Sequence, residues 1–206
     1  MKDPPTPLFK GCLFFVVKKN FDKKRDLYIE ENLDDNRTKM EKNFVFIDTQ
    51  NINLSTQDQW WKLDRKKFNK YLKKKYKAVK IYLFIWYVPE NQSMYTFFQN
   101  CWYTLIFKPV LELNNWQTKW NVDAELVLQA MIDYKKYNKA IIITWDGDFA
   151  CLVRHFYKKN KLLMLIVPNE KKYSIFLKKT AKEKIDSLSN LRSKLEYKKK
   201  VAPTKQ

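Results

Sequence analysis

Apolar and polar positions fall in alternating blocks along this chain. Phe44-Val45-Phe46-Ile47 is apolar at every position and ends in Asp48, which predicts a buried strand. Asp64 to Tyr76 places Phe68, Tyr71 and Leu72 at helical spacing among lysines, which predicts a surface helix. Val79 to Val88 reads as a strand closed by Pro89, Glu90 to Asn100 as a helix, and Tyr103 to Lys108 as a strand ending at Pro109. Asn121 to Tyr137 predicts a helix with Asn121 as N-cap and Val122, Leu126, Ala130 and Met131 on one face. Ala140 to Thr144 is a strand, Phe149 to Lys158 a helix, and Leu162 to Val167 a strand stopped by Pro168. A basic helix is expected over Tyr173 to Tyr197, followed by a lysine-rich tail. The strands are apolar on both faces and alternate with helices. That pattern predicts an α/β fold, a parallel sheet covered by helices on two sides. No internal repeat is visible.

The blocks begin only at Met40. Residues 1–39 carry Pro4, Pro5 and Pro7 and then charged residues through Arg37. They read as an N-terminal extension, either a disordered arm or sequence upstream of the true start. The remainder divides into a domain over 40–170 and a basic C-terminal helix and tail over 171–206. The 206 residues suffice for one domain with a sizeable core. The longest apolar run, Ile81 to Val88, is far short of the ~18 residues of a membrane span. Cys12 to Val17 is followed by two lysines and lacks a cleavage site for a signal peptide. Cys12, Cys101 and Cys151 are scattered, which argues against a zinc cluster or disulfide framework. The expectation is a cytoplasmic protein without a membrane anchor. A single histidine excludes mechanisms that need a histidine pair. With 41 Lys+Arg against 22 Asp+Glu the formal charge is +19, which points to a polyanionic partner, most simply nucleic acid. A lysine-rich solvated surface is the plain alternative.

Against that positive background the position of certain acids matters. Asp48 ends the first core strand, and Asp146 and Asp148 follow the strand Ala140 to Thr144. Asp123 lies in the first turn of a predicted helix. Ligands in open α/β sheets bind beyond the carboxyl ends of the strands. If the strands are parallel, the four carboxylates converge on that edge, where they repel one another unless a cation sits among them. An oxygen-only ligand set suits Mg²⁺, or Mn²⁺ in its place. Each acid alone also has a local role: Asp123 at the positive end of its helix, Asp148 as a cap, Asp48 at a turn.

Three blocks carry a family resemblance: Ile47-Asp48-Thr49-Gln50-Asn51, Lys119-Trp120-Asn121-Val122-Asp123 and Thr144-Trp145-Asp146-Gly147-Asp148-Phe149. In this order and spacing they resemble the NYN domain family, the LabA-like or DUF88 branch of the PIN-like nucleases, from about Phe44 to Pro168. The resemblance implies a Rossmann-like three-layer α/β/α sandwich with a central parallel sheet. It also implies metal-dependent ribonuclease chemistry with RNA as partner. Asp48, Asp123, Asp146 and Asp148 map onto the family's acidic positions, and Asn51 onto its polar residue after the first strand. On that reading Asp48, Asp123 and Asp146 hold the metal directly or through water. Asp148 joins them, orients a ligand water or acts as base. Asn51 holds the phosphate or a metal-bound water. Lys66, Lys70, Lys73 and Lys119 are the candidate grips on the RNA backbone, with a solvated helix face as the alternative for Lys66, Lys70 and Lys73. Phe149 is expected in the core, and His155 outside the chemistry. The rival is a non-catalytic RNA-binding module with a degenerate site. A third reading, Asp146-Gly147-Asp148 as the metal motif of a glycosyltransferase, explains neither Asp48 nor the charge.

The chain departs from the family at glycine. It has two Gly and seven Trp, whereas roughly 7% usage would give about 14 Gly. Trp120 and Trp145 each stand where the family has Gly, just before an acidic block. Trp60, Trp86, Trp102 and Trp116 occupy turns or strand ends that suit Gly, while Trp61 reads as a true tryptophan. These six positions are expected to be glycine in a cell that reads UGA as glycine. The gene is then expected to carry UGA at codons 60, 86, 102, 116, 120 and 145. Sequencing that finds UGG there removes the idea and leaves real tryptophans crowding the metal edge.

Overall fold

A computed structural model describes residues 41–109 and 122–199. The extension 1–39, Trp116, Lys119, Trp120 and Asn121 lie outside the described residues. Strand β1 (Asn43–Asp48) is buried at every position, because it lies at the middle of the sheet with both faces covered. Helix α1 (Thr49–Asp58) follows it directly. Then come α2 (Arg65–Tyr76), β2 (Ala78–Tyr87), α3 (Gln92–Asn100), β3 (Thr104–Pro109) and α4 (Asp123–Ile132). The chain continues through β4 (Lys139–Ile143), α5 (Ala150–Lys158), β5 (Leu162–Val167), α6 (Ile175–Ala181), β6 (Ile185–Ser187) and α7 (Arg192–Leu195). The six strands are all parallel, in the order β3-β2-β1-β4-β5-β6. The fold is a three-layer α/β/α sandwich.

Alternation along β1 divides the core. Val45 and Ile47 face one layer with Phe68 and Leu72 of α2, Tyr95 and Phe98 of α3, and Leu195 of α7. Phe44 and Phe46 face the other with Leu126 of α4, Val153 and Phe156 of α5, and Leu177 of α6. Phe149 is fully buried in that second layer, as expected.

Three elements differ from the sequence reading. The apolar pattern does not predict helix α1, since Thr49-Gln50-Asn51-Ile52-Asn53-Leu54-Ser55-Thr56-Gln57-Asp58 has no apolar stripe. It forms because Asp48 caps it, accepting from the Asn51 amide at 3.2 Å, and because it buries small polar residues. The helix expected to reach Tyr137 stops at Ile132, and Met131 points to solvent. There the buried Asp133 draws the Tyr82 hydroxyl, Gln129 and Lys136 onto its carboxylate, and the chain turns. The single basic helix over Tyr173 to Tyr197 is corrected to α6, β6, a 3₁₀ turn and α7. Lys182 at φ 51 ends α6, after which Ile185-Asp186-Ser187 pairs with β5 and satisfies its free edge. Leu188, Leu191 and Leu195 then return to the core.

The tryptophans divide by environment. Trp61 is buried in the core. Trp60 beside it is 90% exposed at φ 56, and Trp102 is 65% exposed at φ 66. That left-handed region costs a residue with a Cβ about 1–2 kcal/mol and glycine almost nothing. Neighbours hold both turns regardless of side chain. Arg192 donates to the carbonyls of Gln59 and Trp60 at 3.3 and 3.2 Å. Asn69 donates to the carbonyl of Trp102 at 3.4 Å. Trp86 and Trp145 have no positive φ, so backbone conformation gives them no such reason to be glycine. Trp60→Gly is expected to stabilise the chain by about 1 kcal/mol in urea unfolding, whereas Trp60→Ala, which keeps the Cβ, brings no comparable gain.

Candidate metal centre

The strand order reverses between β1 and β4. The chain builds β1, β2 and β3 outward in one direction, then crosses through α4 to place β4 on the other side of β1. A crevice opens beyond the carboxyl ends of strands at such a reversal. Asp48 ends β1 there, and Trp145-Asp146-Gly147-Asp148 follows β4. The crossover helix α4 contributes Asp123 from its first turn.

The geometry joins three of the expected acids closely. One carboxylate oxygen from each of Asp123, Asp146 and Asp148 lies within 4.8 Å of the others. Asp146 is held by its surroundings: its amide donates to Thr144 Oγ1 at 3.1 Å, and its Oδ1 accepts from the Asp148 amide at 2.9 Å. Asp146, not Asp148, therefore caps the turn that leads into α5. Asp48 stands outside the close trio but feels the charges of Asp123 and Asp146. It is 3% exposed. Burial, reinforced by those two like charges, pushes its carboxyl up to about 6 against the opposing hydrogen bonds from Asn51.

Asn51 is placed by α1 against Asp48. Its side-chain amide donates to Asp48 Oδ2 and its backbone amide to Oδ1. Among the described residues the Asn51 amide oxygen has no hydrogen-bond partner although it is buried, and the same holds for Thr49 Oγ1. An unpaired carbonyl oxygen is an acceptor, which suits a cation or a cation's water and does not suit a phosphate. The oxygen-rich donor set therefore fits a hard divalent ion.

The lysine expectations resolve differently. Lys66, Lys70 and Lys73 are exposed on α2. Lys73 lies over the Trp102 ring, 5.6 Å from its centre, and Lys66 acts electrostatically on Cys101. Both neighbours belong to the turn that enters β3, so the structure does not bring these lysines to the acidic trio. His155 packs by its ring against Tyr134 on the outside of α5. Sequence reasoning missed the part played by the segment before α6. The Ser174 amide donates to the Trp145 carbonyl at 3.1 Å, and Gly147 accommodates Ser174 so closely that a Cβ would sit 2.5 Å from its Oγ. Nothing local signals this contact, since the partners lie far apart in the chain. Thr49 and Val122, the chain neighbours of Asp48 and Asp123, line a groove of about 280 Å³ together with Asn53, Gln57, Phe84 and Trp86.

A parallel sheet with this order, carrying a cluster of acids at its switch point, defines a Rossmann-like α/β domain. The NYN domain family model matches residues 42–189, and the chain belongs to that family. A crystal structure of a protein of unknown function, VPA0982 from Vibrio parahaemolyticus, is similar in fold, with a TM-score of 0.64 at 15% identity. The likeness covers 79% of this chain and all of that one. No curated protein matches the chain. Among the described residues no helix is long and apolar enough to cross a membrane.

The state of Asp48 gives a pH dependence. Its proton is held more tightly in the folded protein than in the unfolded chain, so it favours folding at low pH. That stability is lost as pH rises from about 4 through about 6, a change of up to about 3 kcal/mol. In chelator, Asp48→Asn is expected to raise the melting temperature at pH 8 and flatten the dependence between pH 4 and 6. Thermal melts across that range check both.

Proposed function

We propose that this chain is a divalent-metal-dependent ribonuclease that hydrolyses RNA phosphodiesters, acting within the chain as an endonuclease. The observation that carries the reading is the convergence of Asp48, Asp123, Asp146 and Asp148 beside buried oxygens without donors, in a chain of net charge +19. A positive chain that binds phosphate gains nothing from clustered carboxylates unless a cation joins them. Membership of the NYN family supports the same reading.

Asp123, Asp146 and Asp148 would hold Mg²⁺ or Mn²⁺, with Asp48 close enough to share it directly or through water. When bound there, such an ion would supply a water of lowered pKa and neutralise charge on the scissile phosphate. Asn51 fixes the orientation of the Asp48 carboxylate by donating to both of its oxygens. The Thr144 hydroxyl positions the backbone of Asp146. Asp148 is the most exposed of the trio and is suited to accept a proton from the attacking water. We place the reaction in the cytoplasm, where the free thiols of Cys101 and Cys151 stay reduced.

The test is cleavage of single-stranded and structured RNA with Mg²⁺ or Mn²⁺. It is run on this chain and on a form with glycine at the six suspect tryptophans, each beside Asp146→Asn. The expected result is metal-dependent cleavage that falls at least about 100-fold in Asp146→Asn. RNA binding with no cleavage in either form would make the domain a binding module. Cleavage unaffected by Asp146→Asn would reject the site.

A further inference from the structure

The contact between Gly147 and the start of α6 brings an aromatic ring to the metal centre. A Cβ on Gly147 would lie 3.1 Å from Ser174 Cβ and 3.6 Å from Phe176 Cδ2. The Phe176 ring therefore stands in van der Waals reach of the turn whose two neighbouring residues are Asp146 and Asp148. Its placement is fixed from both sides. Ser174 is tied to the Trp145 carbonyl through its amide, and its hydroxyl accepts from the Phe176 amide at 3.3 Å. Leu177 and Ala181 anchor α6 in the core, which leaves Phe176 on the outer face.

Phe176 is 63% exposed, and Ile175 beside it is exposed as well. A phenylalanine that buries little of its ring gives up the stabilisation a core position would supply. Its flanks are cationic: Lys178 and Lys179 are exposed in the last turn of α6 and Lys171 precedes it, while Lys172 is paired with Asp58 at 3.0 Å. An exposed π-face among cations is suited to a nucleobase with a phosphate on either side.

Resting on the ribonuclease reading, we propose that Phe176 is the base platform of the site and that the substrate is unpaired RNA. A nucleotide next to the scissile phosphate stacks on this ring, which orients the phosphate towards Asp123, Asp146 and Asp148. Bases within a duplex already stack on one another and offer no free face. The ring therefore favours single strands, loops and ends over paired RNA.

The experiment measures binding of a fluorescent single-stranded RNA and of a blunt RNA duplex, in Ca²⁺, by anisotropy. The proteins are the full chain, Phe176→Ala and Phe176→Tyr, with cleavage in Mg²⁺ or Mn²⁺ followed alongside. Phe176→Ala is expected to weaken single-strand binding about 5- to 100-fold, with Phe176→Tyr close to the unchanged chain and duplex binding unaltered. Replacing the stacked nucleotide by an abasic one should cause the same loss in the unchanged chain and no further loss in Phe176→Ala. Single-strand binding unaltered by Phe176→Ala, with cleavage still dependent on Asp146, would overturn the platform and leave the ribonuclease reading standing. Equal losses on single strand and duplex would also overturn it. So would a Phe176-dependent self-association in sedimentation with RNA binding unchanged, since the ring would then cover a second copy of the chain. Neither binding nor cleavage by the unchanged chain or by the form with glycine at the six positions would overturn both readings.

Discussion

Mutual repulsion among carboxylates at the end of β1 and β4 is the condition the rest of the molecule has to contain. Left free, such side chains would swing apart into water. Here the backbone prevents it. Asp48 is buried and engaged by Asn51, Asp146 is fixed through Thr144 and its own turn, and Asp123 arrives on a helix anchored by Leu126 and Ala130. The sheet order supplies the meeting point, because only at its reversal do β1 and β4 lie side by side with their connections leading away. The core on both faces of β1 is what keeps that crevice from relaxing.

One carboxylate serves two purposes with opposing demands. Asp48 is the N-cap of α1 and so takes part in forming a helix that has almost no apolar stripe. It is also a buried carboxylate whose charged form burial disfavours. The backbone and side-chain amides of Asn51 offset part of that cost but not all of it, which is why burial still dominates its titration. The group thus carries a desolvation cost that a cation beside it would offset.

Most of the framework could be read from the chain because central parallel strands are apolar on both faces and the helices between them carry stripes. Four acids could be singled out as candidates because strand ends and a helix start located them, and Asn51 because of the family resemblance. Their convergence could not be derived without the sheet order, which periodicity does not contain. Helix α1 stayed hidden because a capping carboxylate and buried small polar residues define it. The end of the chain misled for a different reason. Leu188, Leu191 and Leu195 sit at near-helical spacing, yet β6 is formed by the demand of the open edge of β5, a tertiary effect. The lysines of α2 illustrate the limit of charge as a guide: net charge names a class of partner and says nothing of which face meets it.

The tight seat of Ser174 against Gly147 has a consequence for how this domain can change over time. Two stretches of chain separated by a strand and a helix are locked face to face at a spacing that tolerates no added atom. The metal turn and the outer face of α6 thus behave as one plate. Mutation can vary the exposed residues of α6 without disturbing the acids behind them. On the proposed reading, substrate preference and ion binding, though adjacent, would be separately adjustable.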